Sequence, residues 1–481
     1  MSKKNIGSSL IWKFMERCGV QGASFIVQIV LARMLLPEDF GKFTIVLTFV
    51  ALGQILIDCG FGQALIQKRK LRSEDATTAF FISLAFSIVC ITIIIAFAKS
   101  IEAFYKMEGI ALPIIIVAIT LVICSFNSIQ LSLAAREFKF KEIFQANFTA
   151  AILSACLGIT AAFMHFGIWA LIVQYVSNII VSCLILGLKI KWHPSKSFSK
   201  KSAKEMFGFG WKIMIASLAN RLYVEVYNLV IGKYFSAYKL GLYNRGKTFP
   251  FAIENTLAAV IESVMLPYFS RIQDDKKEFT DSLRFSMRMT AFIVAPIMFG
   301  LGAIAEPLTV LLLTNKWIEI VPLIQIFSIG YTFGPISAVN LMAVNGIGRS
   351  DIYLKLEVIK RIIGILILII SLKFGFIYVS IGLAVSFFIN YLINVIPNIR
   401  LLKYGLIQQI RDIIVPIAAS STMFICIVLV NSKLQVGNIL LIIIDVILGV
   451  MIYTAISYVF NKKSLHWVIQ EIKGRINEKK S

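Results

Sequence analysis

Two polar stripes run through otherwise apolar stretches of this chain. The first is Lys13, Arg17, Gln21, Ser24 and Gln28, with Glu16 beside it. The second is Ser217, Arg221, Glu225 and Asn228, with Lys212 one turn before it. Steps of three and four residues put each set on one helical face. Guanidinium groups can grip a phosphate with two parallel hydrogen bonds, and an ammonium attracts it as a point charge. Lys13, Arg17, Gln21, Gln28, Lys212, Arg221 and Asn228 are therefore the candidate substrate-binding residues. Asp58, Glu225 and Glu262 are carboxylates inside apolar runs that could titrate or hold a cation, and they are the candidates for ion coupling. A blander reading stays open for several of these groups. Glu16 with Lys13 or Arg17, and Arg221 with Glu225, stand at ion-pair spacing and could simply neutralise each other. Lys13 and Lys212 could reach back to lipid headgroups.

Long helices must position these residues, because the stripes lie in runs long enough to cross a bilayer. A charge at the centre of such a helix costs roughly 2.5–3.5 kcal/mol, whereas each Leu, Ile, Phe or Val returns only about 0.3–0.6 kcal/mol. Neither stripe should face lipid. Apolar runs of about 20 residues fall near 10–36, 43–66, 78–98, 112–133, 143–163, 168–188, 211–235, 249–269, 287–305, 323–344, 354–374, 378–397, 413–430 and 439–460. The chain reads as an all-α polytopic membrane protein with about 14 spans. Its composition agrees: 58% hydrophobic and 15% charged, with mean hydropathy +0.82, against about 45–50% and about 25% in soluble domains.

The net charge of +22 would fit nucleic-acid binding if it were clustered on a soluble face. Instead it falls in alternate loops, about 31 Lys and Arg in one set against about 11 in the other. That bias predicts a multi-pass protein of the cell (inner) membrane with both termini cytoplasmic, and no nucleic-acid partner. The expected organisation is a first six-helix bundle at 1–190, a basic linker at 191–208, a second bundle at 209–404, two extra spans at 405–460 and a basic cytoplasmic tail at 461–481. The tail reads as an amphipathic helix on the membrane surface.

Signatures of enzyme chemistry are missing from the chain. It has no Walker loop, GxSxG or HExxH, and Gly346-x-Gly348 lies between two apolar helices rather than after a strand. Cys18, Cys59, Cys90, Cys124, Cys156, Cys183 and Cys426 are scattered singly through apolar runs, and His165, His193 and His466 are far apart. Neither a metal site nor a disulfide framework is indicated. We expect a non-enzyme without cofactors, drawing on a proton or sodium gradient if coupled at all.

The second half repeats the first. Trp12-Lys13-x-Met15 recurs as Trp211-Lys212-x-Met214, and Gly41-x-Phe43 as Gly241-x-Tyr243. Gln21, Gln28 and Arg33 match Arg221, Asn228 and Lys233, and the segment 134–144 aligns with 343–353. A six-helix duplication inserts both copies with the same orientation, as in transporters built from parallel repeats.

The segments Gly7-Ser8-Ser9-Leu10-Ile11-Trp12 and Leu31-Ala32-Arg33-Met34-Leu35-Leu36-Pro37-Glu38-Asp39-Phe40-Gly41 resemble the polysaccharide-transporter branch of the MOP flippase superfamily. Arg136-Glu137-Phe138-Lys139-Phe140 and the run from Met265 to Asp275 are similar to the same branch, in particular to its colanic-acid and teichuronic-acid exporters. The resemblance implies two pseudo-symmetric six-helix bundles forming a V with a central cavity. It implies a flippase for undecaprenyl-diphosphate-linked oligosaccharide repeat units of O-antigen, capsule or exopolysaccharide, working by alternating access. It also implies a groove for the lipid tail beside the last two helices. The partners it implies are the polyprenyl-diphosphate-linked glycan, membrane lipid, and polysaccharide polymerase and assembly proteins. In lipid II flippases of the superfamily, basic residues of the first helix and second bundle bind diphosphate; Arg17, Lys212 and Arg221 stand in comparable places. A cation-coupled multidrug antiporter and a lipid II flippase are the alternatives within the superfamily.

Overall fold

The computed structural model describes residues 12, 15, 19–68, 70–434 and 436–478. Every regular element among them is helical. In chain order they are α1 (Gln21–Met34), α2 (Pro37–Asp58), α3 (Phe61–Gln67), α4 (Ser73–Tyr105), α5 (Ala111–Arg136), α6 (Phe140–Phe163), α7 (Ile168–Ile190), α8 (Lys200–Tyr234) and α9 (Ala237–Arg271). After these come α10 (Lys276–Ala303), α11 (Ala305–Leu313), a 3-10 turn at Asn315–Ile320, α12 (Val321–Tyr331), α13 (Phe333–Gly346), α14 (Ser350–Leu372), α15 (Phe376–Leu402), α16 (Leu406–Asn431), α17 (Asn438–Phe460) and α18 (Lys462–Glu478). Among the described residues, 11 helical stretches are long and apolar enough to cross a membrane. The other three expected spans fall on α1, which is shorter, and on α8 and α14, which carry more charge. The chain is a multi-pass membrane protein.

Contacts divide the chain into two units, Met1–Gly241 and Leu242–Ser481. Sequence reading placed a linker at 191–208, yet α8 beyond it packs in the first unit against α2, α3 and α4. One cause is a pair of glycines that let backbones touch. A Cβ on Gly210 would stand 2.2 Å from the Cys59 carbonyl oxygen, and one on Gly60 would stand 2.8 Å from that of Gly210. Small residues at such crossings give membrane helices the close packing that lipid cannot supply.

Cys59 and Gly60, at φ 43° and 69°, also divide α2 from α3. The expected span at 43–66 is therefore two helices with a left-handed break. Hydropathy cannot register such a break, since both sides of it are apolar.

The repeat is legible in the elements. α1 ends at Met34 and α8 at Tyr234; α2 begins at Pro37 and α9 at Ala237. Gly41 and Gly241 face each other reciprocally. A Cβ on Gly41 would meet the Ala237 carbonyl oxygen at 1.7 Å, and one on Gly241 would meet that of Pro37 at 1.8 Å. Further along, α5 ends at Arg136 and α13 at Gly346, and Phe138 and Gly348 both take positive φ, 57° and 81°. The match of 134–144 to 343–353 is thus one residue out of register. Apolar letters slide freely along a helix, whereas a left-handed turn fixes the alignment.

In the second unit, α10, α13, α15 and α16 enclose a core around Phe279, Leu283, Met287, Val339 and Tyr391. Asp412 in α16 accepts from Arg284 Nε at 3.0 Å, Arg288 Nε at 2.8 Å and the Tyr404 hydroxyl at 2.8 Å. A buried chain of amides, Asn394, Asn398, Asn340 and Gln409, continues beside it. Polar groups with partners of this kind hold helices together where no hydrophobic effect acts between them.

Candidate functional site

The first unit holds a polar cavity of about 540 Å³ at the break between α2 and α3. α2 contributes Gln54 and Asp58, α3 Gln63, α5 Asn127 and Ser128, and α8 Met214 and Ser217. Asp58 is the last residue of α2, so its carboxylate stands at the negative end of a broken helix. It accepts a hydrogen bond from the Ser128 hydroxyl at 2.7 Å. A carboxylate beside the C-terminal carbonyls of a half-helix is the arrangement by which transporters hold a coupling cation or proton. Of the described residues lining the cavity, Asp58 alone carries a charge. No cluster of three His, Cys, Asp or Glu suited to a bound metal occurs among the described residues.

One turn beyond Ser217 the polar face of α8 continues into a second cluster. The Arg221 Nη2 lies 2.7 Å from Glu225 Oε1. The other oxygen, Oε2, accepts from Thr48 Oγ1 at 2.7 Å and from Asn228 Nδ2 at 2.7 Å. The Glu225 side chain is 5% exposed and that of Arg221 42%. The cluster is therefore anchored at its acid end and open at its basic end. The i, i+4 spacing on α8 produced the ion pair that the sequence left open. Two residues proposed for different roles, Arg221 and Glu225, are partners, and Asn228 is a third member of their group.

At the end of α3 lies a third polar group. Lys68 donates to Asp75 at 2.9 Å and Glu205 at 3.1 Å, and the Ser202 hydroxyl reaches Asp75 at 2.6 Å. Burial works to lower the Lys68 pKa, but these two carboxylate bonds hold it above its ordinary value. Lys212 is exposed on α8, and Gln21 and Gln28 are exposed on α1. Lys13 and Arg17 lie outside the described residues. Glu262, in the second unit, is exposed on α9, and Glu254 two turns before it packs against Gly334 of α13. The structure thus brings Arg221, Glu225 and Asn228 together and sets Asp58 in a separate cavity. It does not put Lys212 or Arg221 in the lining of that cavity. Thr48, Gln54 and Ser128 were not singled out in the sequence. Gln54 and Thr48 lie in the same apolar run as Asp58, four and ten residues before it; the four-residue step from Gln54 was an available signal, and the lone hydroxyl of Thr48 gave none.

Residues 30–322 match the profile of a family described as polysaccharide biosynthesis protein. The chain belongs to that family. Membership bears out the resemblance to the polysaccharide transporters of the MOP flippase superfamily. Among relatives of this polysaccharide biosynthesis protein, the succinoglycan biosynthesis transport protein ExoT of Rhizobium meliloti is 23% identical over 329 residues, 68% of this chain and 67% of its own. The lipopolysaccharide biosynthesis protein WzxC of Escherichia coli is 25% identical over 397 residues, 80% of this chain and 78% of its own. Among solved structures, the lipid II flippase MurJ in an inward closed conformation aligns with TM-score 0.71 at 16% identity, covering 95% of this chain and 99% of MurJ. An inward-facing multidrug resistance MATE family transporter aligns with TM-score 0.58 at 14% identity, covering 82% and 99%. These two structural likenesses show a shared all-helical fold.

Proposed function

We propose that this polysaccharide biosynthesis protein is a flippase that carries undecaprenyl-diphosphate-linked oligosaccharide repeat units outward across the cytoplasmic membrane by alternating access. The observation that carries the reading is the polar face of α8, placed inside a membrane-spanning chain whose relatives are named as transport or biosynthesis proteins of succinoglycan and lipopolysaccharide. In this reading Arg221, Lys212, Lys13 and Arg17 meet the diphosphate, while Gln21, Gln28 and Asn228 meet the sugars. Glu225 orients Arg221 and lowers the cost of holding its charge in the membrane. Asp58 and Glu262 couple the movement to a proton or sodium gradient. Both termini are cytoplasmic, and a polymerase outside the membrane consumes the product. The chain itself makes and breaks no covalent bond.

The test is reconstitution in liposomes with a labelled polyprenyl-diphosphate oligosaccharide. Translocation above empty vesicles, reduced in Arg221→Ala and partly retained in Arg221→Lys, supports the reading; no translocation by the unaltered protein overturns it. One observation favours a second reading, a cation-coupled drug antiporter: among the described residues lining the Asp58 cavity there is a carboxylate and no basic group. Efflux of an amphipathic cation by the same liposomes, abolished in Asp58→Asn, would select it.

A further inference from the structure

On another side of the first unit, α4, α5 and α7 border an apolar groove of about 740 Å³. Its walls follow two helical faces. Ile180, Leu184, Leu188 and Lys191 come from the α7 side at steps of four, four and three, and Val122, Phe126 and Gln130 come from α5 at steps of four. From Ile180 to Lys191 is 11 residues, or about 16 Å of helix. One leaflet of the hydrocarbon core is about 15 Å deep. The groove is therefore one leaflet long, apolar at its inner depth and basic at its mouth.

The mouth is built. Lys191 takes a left-handed conformation, φ 55°, that ends α7 and turns the chain back. Trp192 then packs its ring 5.5 Å from Phe126 and 6.1 Å from Phe80. Lys191 and His193 flank it and are exposed. An indole between a lysine and a histidine is the pattern of a headgroup boundary. Inside the mouth is an unexplained group. Gln130 is fully buried, and neither its amide nitrogen nor its amide oxygen has a partner. Its Nε2 lies 2.8 Å from where a Cβ on Gly187 would stand, so the absent side chain of Gly187 is what makes room for this amide at the groove wall. A buried amide of this kind calls for a carbonyl or hydroxyl from outside the chain.

We propose that this groove is a binding site for one anionic two-chain phospholipid of the leaflet at the basic end of α7. Its acyl chain lies along Leu184 and Leu188, its phosphate meets Lys191 and His193, and an ester carbonyl at the glycerol level accepts from Gln130. Basic pockets between membrane helices at the cytoplasmic side recognise acidic headgroups in this way. The proposal rests on the chain spanning the membrane and not on what it transports.

The test is native mass spectrometry of the delipidated full chain, titrated with phosphatidylglycerol or phosphatidylcholine. The unaltered protein should retain one phosphatidylglycerol at a concentration at least tenfold below that needed for phosphatidylcholine. Lys191→Glu, an exposed change that leaves the core alone, should erase that preference, and Gly187→Leu should erase binding by filling the groove. An ether-linked phosphatidylglycerol should bind the unaltered protein at least threefold more weakly than the ester. It should bind Gln130→Leu no differently from the ester. Equal retention of the two headgroups, or an unchanged preference in Lys191→Glu, would reduce the groove to ordinary lipid contact and overturn the proposal. Displacement of the bound lipid by undecaprenyl phosphate at equal concentration would overturn it also, since the groove would then belong to a polyprenyl chain.

Discussion

Replacing Thr48 by Val removes one hydroxyl and keeps the volume and shape of the side chain. In the folded protein that hydroxyl is fully buried and donates to Glu225 Oε2 at 2.7 Å. A hydrogen bond to a charged group is worth about 1.5–3 kcal/mol, and its loss leaves Oε2 with the Asn228 amide alone, in a place where water has no path. Arg221→Ala removes a whole ion pair and looks the more severe change. Yet the Arg221 side chain is 42% exposed, so water screens the pair and can follow the truncated side chain to Oε1. Discounted in this way, the pair contributes about 0.2–1 kcal/mol. The expected order is thus inverted: Thr48→Val destabilises by about 1.5–3 kcal/mol and Arg221→Ala by less than about 1 kcal/mol. Transport should follow the opposite order, because Arg221 reaches outward and Thr48 does not. The assay is unfolding in mixed micelles with increasing dodecyl sulfate, read by tryptophan fluorescence, beside glycan-lipid translocation in liposomes. A greater stability loss in Arg221→Ala than in Thr48→Val would refute the argument from burial.

Other substitutions probe different joints. Gly41→Leu and Gly241→Leu each drive a side chain into a carbonyl oxygen less than 2 Å from the Cβ position; both should abolish accumulation of folded protein, measured by monodisperse yield in detergent. Gly60→Ala adds a left-handed penalty of about 1–2 kcal/mol to a contact at 2.8 Å, and should lower the dodecyl sulfate midpoint while Gly109→Ala, also at positive φ but in open space, lowers it less. Asp58→Asn keeps the Ser128 hydrogen bond as a neutral one and removes the charge; it should leave folding intact and flatten the dependence of transport on an imposed proton or sodium gradient. Arg136→Ala withdraws a guanidinium from the Leu65 and Ile66 carbonyl oxygens, at 2.6 and 3.0 Å, and should speed amide exchange in 61–68 beyond that in the rest of the chain.

Much of the architecture was legible because the bilayer imposes a single strong rule: a crossing segment must be long and apolar. Among the described residues, the apolar runs of the sequence fall on helices, and α8 and α14 were found despite their charges because apolar residues still surround them. The duplication was legible at Gly41 and Gly241, where the backbone needs room, and blurred at 134–144, where Leu, Ile and Ala carry no register. The ion pair of Arg221 and Glu225 followed from their spacing. Asn228 shared their helical face, but the fourth member did not follow, since Thr48 comes from 177 residues away and one hydroxyl in an apolar helix gives no pattern. The break at Cys59–Gly60 escaped for another reason. Hydropathy averages over a window and does not sense φ, and Cys at a left-handed position has no sequence signal. Asp58 was therefore expected in mid-helix, when it stands at a helix end.

That interruption also divides mechanical allegiance within one crossing. The seven-residue stub α3 hangs its final carbonyls on the Arg136 guanidinium and seats Gly62 against Ser132. Its fixings are thus chiefly to α5, with α8 and α4 beside it, and it joins α2 through two left-handed residues. A change in the angle between the stub and α2 would be taken up at those two residues, so the Asp58 carboxylate, the last residue before them, would feel it as a change in its own surroundings.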